Sequence, residues 1–458
     1  MRIALKEDIH KSPSHAQVSQ NRVASAGPGT NERTMSFYTY SQDFRGAPNG
    51  WTPLFRGNFL VGENSTGKSS YLKLLKIVVS TDFQVRHLVY LRDRPDYNFD
   101  DFMSKLAGPP QNHRKFTIGC AGKRGPSSEA LTGKLVSYVE DDGSPEVDHI
   151  TFISGHTFLR LEGFDNDLIL YKKTVRSDAK QATILKKFAE FHNSTSNELG
   201  PPDDLAVDKE QDDDQEPEET SISLDFDRGI SRSRPFVPDY VNNVDHLGPI
   251  RTRPGPIYHV GGDPKSIQGE DSLDKLAKDS APILNACNRF GKRSGLFDKM
   301  HVKVLEELGP NNIVITFERA GRDFFAEELG YGVGQIVPVL IEATRPRGET
   351  ILIAEQPELH LHPKAQAAFG SLMADFLRQK HRFLVETHSD FVLDRFRVEL
   401  KNSKSRYEAD SQILFFETKS GQNKVSRIGI AADGSIEEPP KSYRNFFLKE
   451  TFNKISAL

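Results

Sequence analysis

The chain has 458 residues, room for about three domains of ordinary size. Its 60 Lys+Arg against 64 Asp+Glu leave a net charge of -4, which excludes a uniformly basic nucleic-acid binder. Two cysteines, Cys120 and Cys287, with no CxxC, exclude a disulfide framework and a cysteine-based zinc site and fit a reducing, cytoplasmic setting. No run approaches the ~18 apolar residues of a membrane span, so no membrane contact is expected.

Residues 1–34 are polar, rich in Ser, Asn and Gly, and lack the apolar core of a secretion signal. They read as a disordered tail, with Met35 as an alternative start. Phe37 to Tyr40 predicts a strand. Phe59-Leu60-Val61 predicts a second, and Tyr71, Leu72, Leu74, Leu75 and Ile77 mark the apolar face of a helix. Short strands follow at 116–119 and 135–139, an antiparallel segment beside the first motif. Residues 165–245 read as an insertion, helical from Ser177 to His192. Within it 201–220 is strongly acidic and nearly free of large apolar residues, so a solvated loop is expected. From Tyr240 strands (313–317, 351–354, 383–386, 413–416, 424–428) alternate with helices from about Leu329 and Lys364, the pattern of a parallel sheet.

Between the second strand and its helix lies Gly62-Glu63-Asn64-Ser65-Thr66-Gly67-Lys68-Ser69, a full match to G-x-x-x-x-G-K-[ST], followed by Ser70. Gly62 and Gly67 let backbone amides turn toward phosphate oxygens, and the helix N-terminus adds partial positive charge. Lys68 is expected to meet the β- and γ-phosphates of ATP, and Ser69 to ligate Mg²⁺. Glu355 ends a buried apolar strand, a costly place for a carboxylate unless it has a task. Holding the Mg²⁺ water shell is that task in phosphate-loop enzymes, which makes Ser69 and Glu355 the metal candidates. Gln356 and Glu358 follow, then His360 and His362, which lack an evident third ligand for a metal of their own. His388, past the next buried strand, is placed to sense the γ-phosphate or position water. Leu329-Gly330-Tyr331-Gly332-Val333-Gly334-Gln335 is a second glycine-rich turn opening a helix, hence another anion site.

In this order the motifs resemble the ABC/SMC-like ATPases, and within them the bacterial AAA-like group related to the OLD-family and double-strand-break repair ATPases. Gly62–Ser69 corresponds to Walker A, 351–355 to Walker B with Glu for the commoner Asp, Leu329–Gly332 to the signature motif, 357–363 to the PE-x-h-LHP stretch of the OLD-like branch, and His388 to the switch histidine. The resemblance implies an α/β fold: an ABC-type P-loop ATPase head with a mixed or parallel sheet, an antiparallel flanking segment and an inserted lid-like region. Residues 35–164 would be its N-terminal part, 165–245 the insertion and 246–458 its C-terminal part. It implies a homodimer or higher homo-oligomer with ATP sandwiched between one protomer's Walker A and the other's Gly330, Gly332, Gly334 and Gln335. The stretch after Asp390 is too short for the Toprim nuclease of OLD-like proteins. The expected role is therefore sensor or scaffold for a separate nuclease- or toxin-type effector, as in two-gene anti-phage systems such as PARIS or Septu. A DNA-clamping repair ATPase, with DNA as partner, and a nucleotide-gated scaffold with negligible turnover are the alternatives. The catalytic candidates are Glu355, Gln356, Glu358 and His388. Gly330 stands where the signature usually has Ser, and Gln356 where relatives place the catalytic Glu; Gln orients a water but cannot take its proton.

Overall fold

In the computed structural model the described residues are 3–7, 37–80, 83–84, 114–123, 130–141, 144–164, 167–176, 179–195, 198, 244–249, 257–259, 280–305, 312–344, 350–402 and 410–446. The acidic stretch 201–220 lies outside them. They form two compact units that interleave along the chain: residues 1–53 with 73–239, and 54–72 with 240–458.

The second unit is built on a seven-stranded sheet. Its strands are β4 (Gly57–Gly62), β10 (Val244–Leu247), β15 (Ile351–Glu355), β16 (Arg382–Glu386), β17 (Ser411–Lys419), β18 (Gln422–Ile430) and β19 (Ile436–Glu437). The spatial order is β10-β15-β16-β4-β17-β18-β19. Pairing is parallel from β10 to β17 and antiparallel for β18 and β19. The central strands are unbroken apolar runs because helices cover them, as the sequence pattern predicts. Those helices are α3 (Ser280–Ser294), α4 (Tyr331–Thr344), α5 (Pro363–Arg378) and α6 (Asp390–Lys401). Phe59 of β4, Phe383 of β16 and Phe396 of α6 meet edge to face at 4.9–5.7 Å. Helix α4 is buried from Gly332 to Ala343, so its apolar residues run all round rather than along one stripe.

A smaller antiparallel sheet lies in the same unit: β11 (Ile257–His259), β13 (Asn312–Arg319), β12 (Lys299–Val304), with β14 (Arg322–Phe324) on β13. Strand β13 alternates, burying Ile313, Ile315 and Phe317 against the core shared with α3.

The first unit is an eight-stranded sheet, in the order β1-β9-β8-β7-β6-β5-β2-β3. These are β1 (Ile3–Glu7), β2 (Phe37–Gln42), β3 (Gly50–Leu54), β5 (Arg114–Lys123), β6 (Leu131–Asp141), β7 (Ser144–Ser154), β8 (Thr157–Phe164) and β9 (Asp167–Thr174). Strands β5 to β9 form an antiparallel meander. Helix α2 (Gln181–Asn193) buries Ile184, Leu185, Phe188 and Phe191 with Tyr38, Leu135, Ile153 and Phe158 of the sheet.

Two expectations need correction here. Residues 3–7 are not tail but an edge strand, held by parallel pairing with β9 from Ile3↔Leu168 to Glu7↔Lys172; backbone hydrogen bonding there outweighs the polar composition of the stretch that follows. Residues 167–174 are not insertion but the strand that completes the meander, so any insertion begins later than 165. Helix α1 (Lys68–Val79) opens in the second unit and, from Lys73, continues in the first.

Candidate functional site

Strand β4 ends at Gly62, whose φ is +151°. A Cβ there would lie 2.2 Å from the Phe416 carbonyl oxygen on β17. Glycine is therefore needed first for the close pairing of β4 and β17, before any phosphate is considered. The loop then turns through Ser65 (φ 64°) and Gly67 (φ 94°), left-handed conformations that point successive amides to one side. Thr66 Oγ1 donates to Glu63 O at 2.8 Å, and Tyr71 N to Gly67 O at 2.9 Å starts α1. Lys68 is 4% exposed; its Nζ donates to Gly62 O (2.9 Å) and Glu63 O (2.6 Å) and lies 3.9 Å from Glu386 Oε1. Burial pulls its pKa below the lysine value, opposed by the charges of Glu386 and Glu63. Glu63, Asn64, Ser65 and Ser69 are exposed. A buried cation beneath a loop of inward-turning amides at a helix N-terminus fits a phosphate chain.

The parallel sheet brings the distant motifs to the same edge. Leu60 of β4 is in register with Glu386 of β16, and Glu386 with Glu355 of β15. Gln356 takes φ 43° and donates its N–H to Glu386 O at 2.9 Å, while its side chain bonds the Glu386 carboxyl. Glu386 is pushed up to about 7, by burial first and by the nearby Glu355 and Glu358; Lys68 and the Gln356 hydrogen bond pull the other way. Glu355 Oε1 lies 2.7 Å from His246 Nε2. Glu358 is buried, and its Oε1 accepts the His388 backbone N–H at 2.7 Å. His388 itself is exposed, and its pKa is held below the ordinary value by partial desolvation and then by the Lys68 charge. Ser389 Oγ caps α6 through Val392 N and donates to Gln366 Oε1 at 2.6 Å.

The second glycine turn packs elsewhere on this framework. Gly330 has φ +98°, and a Cβ on Gly332 would meet His360 O at 2.7 Å. The exposed Tyr331 ring lies 5.1 Å from the His360 ring, and Gly334 and Gln335 are buried in α4. The turn thus meets residues 358–362, which hold the His388 loop through Glu358 and through Gln366, whose Nε2 donates to Leu361 O at 2.7 Å. His360 and His362 are exposed; His362 is the N-cap residue of α5. Among the described residues no group of three or more His, Cys, Asp or Glu is arranged to hold a metal. Sequence reasoning passed over Glu386, His246 and Gln366. Glu386 carried the signal that singled out Glu355, a carboxylate closing a buried apolar strand. His246, in the four-residue strand Val244–Leu247, carried none.

A phosphate loop between a central parallel strand and its helix, with carboxylates at the ends of the next two strands on one side, β16 and then β15, defines a P-loop nucleotide-site architecture of the α/β class. The chain belongs to the family described as "AAA domain, putative AbiEii toxin, Type IV TA system", which matches residues 144–394, more than half of its length. That match takes in the glycine turn, Glu355 and His388. Over 158 residues the chain is 25% identical to the OLD nuclease of Thermus scotoductus, spanning 32% of this chain and 30% of that protein. Among solved structures it is similar to an SMC head bound to the C-winged helix domain of ScpA: 12% identity, 86% and 97% of the two chains, TM-score 0.43. Another is the SMC head domain from Thermotoga maritima, at 13% identity, 85% and 97% coverage and TM-score 0.33. Among the described residues no helix is long and apolar enough to cross a membrane.

Proposed function

We propose that the chain binds and hydrolyses ATP as an ABC/SMC-like ATPase, and that nucleotide governs its assembly into a homodimer or higher oligomer that serves a separate effector. The observation that supports this best is the convergence of Lys68, Glu355, Gln356, Glu358 and His388 at the ends of three adjacent parallel strands, from motifs almost three hundred residues apart. Residues 62–70 hold the phosphates, Lys68 turning from its loop carbonyls to the β- and γ-oxygens. Ser69 and Glu355 would hold Mg²⁺, which would supply neutralisation of the charge that develops on the phosphates. Gln356 orients the attacking water, and His388 senses the terminal phosphate. In the oligomer, the exposed turn at Gly330 faces the partner's nucleotide, while Gly332, Gly334 and Gln335, buried at the start of α4, hold that turn in place.

Bacterial anti-phage defence, with a nuclease- or toxin-type effector and a cytoplasmic setting, is the biological context we attach to this reading; a DNA-clamping ATPase is the alternative. A second reading, a scaffold that holds ATP with negligible turnover, is favoured by Gln356. Its backbone and amide are both engaged by Glu386, so it orients without accepting a proton. Fluorescent-ATP binding and phosphate release by the purified chain test both. Lys68→Ala is expected to lose binding, and unchanged affinity would remove the site assignment. Turnover that is absent until Gln356→Glu restores it selects the scaffold.

A further inference from the structure

Glu355 has a partner that none of the motifs contains. His246 lies on β10, the edge strand beside β15, in register with Ile353. Alternate residues of a strand share a face, so Ile353 and Glu355 project together, and the imidazole opposite Ile353 stands on Glu355's side of the sheet. His246 Nε2 reaches Glu355 Oε1 at 2.7 Å, with side-chain exposures of 20% and 15%. On the other flank of β15 stands Glu386, directly in register with Glu355, and its carboxylate repels Glu355. Glu355 is therefore pushed from the β16 side and tethered on the β10 side.

We infer that His246 is a positioning residue for Glu355: its Nε2–H holds one carboxylate oxygen and fixes the rotation of the group at the strand end, where the carboxylate would meet the water shell of Mg²⁺. This rests on the ATP-site reading above. Outer partners of this kind orient metal-binding carboxylates, and their loss weakens metal affinity by about 10- to 100-fold. A carboxylate without the tether swings away from Glu386 and is no longer pre-aimed.

The test is a Mg²⁺ titration of fluorescent-ATP binding by the full chain, beside binding in EDTA. His246→Ala is expected to raise the half-saturating Mg²⁺ concentration about 10-fold while leaving binding in EDTA unchanged. His246→Gln, which keeps an N–H donor at a similar reach, is expected to recover most of the loss. An unchanged Mg²⁺ dependence in His246→Ala overturns the inference. So does an equal loss in EDTA, or a Gln variant no better than Ala, since either means a merely structural histidine. Lys68→Ala separates the two levels. If it binds as wild type does, the ATP-site reading fails and takes this inference with it. If it loses binding while His246→Ala behaves as wild type, the positioning role alone fails.

Discussion

Glu358 Oε1 accepts the backbone N–H of His388 at 2.7 Å, joining the turn after β15 to the loop after β16. A carboxylate bonded to a backbone amide contributes roughly 1.5–3 kcal/mol and fixes geometry more than it moves protons. On the proposed ATP-site reading this carboxylate is expected to position the His388 loop rather than to serve as base. Glu358→Gln keeps an acceptor oxygen and should keep most of the turnover. Glu358→Ala should lower kcat about tenfold or more with ATP binding retained, a loss of positioning. Steady-state phosphate release decides it: a Gln variant that loses turnover would return the base role to Glu358.

The glycine turn distinguishes space from strain. A Cβ on Gly332 would meet His360 O at 2.7 Å, whereas one on Gly330 meets nothing within 4 Å and carries only the cost of φ +98°. Gly332→Ala should shift the residue 360 turn and cost more stability than Gly330→Ala, whose penalty is about 1–2 kcal/mol. Thermal unfolding of the two variants side by side reads the difference. For assembly, the cleaner probe is Tyr331, 51% exposed. Tyr331→Glu should block ATP-dependent oligomerisation in sedimentation runs with the fold intact; equal assembly with and without ATP in the wild type removes the premise.

Lys134 offers a pH test in the first unit. It is fully buried on β6, its ammonium held by the Phe83 and Gln84 carbonyls and lying 4.6 Å from the Phe83 ring centre. Burial lowers its pKa from 10.5 to about 7, against a small opposing pull from Cys120. Between those two values the unfolded chain holds a proton that the folded chain lacks. The Lys134 contribution to stability, read as the difference between wild type and a Lys134 variant, therefore rises with pH across that window at a slope on the order of 1 kcal/mol per pH unit. Urea unfolding of wild type and Lys134→Met from pH 7 to 10 should show the slope in the first and its loss in the second; parallel curves refute the assignment.

Phe188 tests the packing of α2. It is fully buried, stacks on Trp51 at 6.1 Å and lies 5.4 Å from Phe158. Phe188→Ala should cost about 3–5 kcal/mol in denaturant unfolding, because few atoms can collapse into the space. A cost below about 1 kcal/mol would mean that α2 contributes little to this core.

What could be read in advance follows from how local each signal is. The strand–loop–helix at 59–77 and the apolar runs before Glu355 and Thr387 announce themselves, because a parallel strand buried on both faces leaves an unbroken apolar run. Strands β7 to β9 were passed over: their polar outer faces, as at Asp148, dilute the run, and a meander shows itself only through pairing. Strand β1 was lost in its polar surroundings. At the candidate site, the residues that sit in motifs are legible along the chain. His246 and Gln366 are not, because they stand out only by which atoms the fold brings within 3 Å of them, which no spacing along the chain records.

The placing of β4 bears on how the protein is made. Both of its hydrogen-bonding neighbours come late: Asn58 alone reaches partners 325 and 354 residues onward, Phe383 and Gln412. During synthesis the strand that leads into the phosphate loop leaves the ribosome with both edges open, and its first edge partner follows only 325 residues later. Ordering of the loop thus waits for distant chain, and a chain interrupted before Arg382 presents a bare apolar strand, a target for chaperones or for aggregation, instead of a half-working nucleotide site.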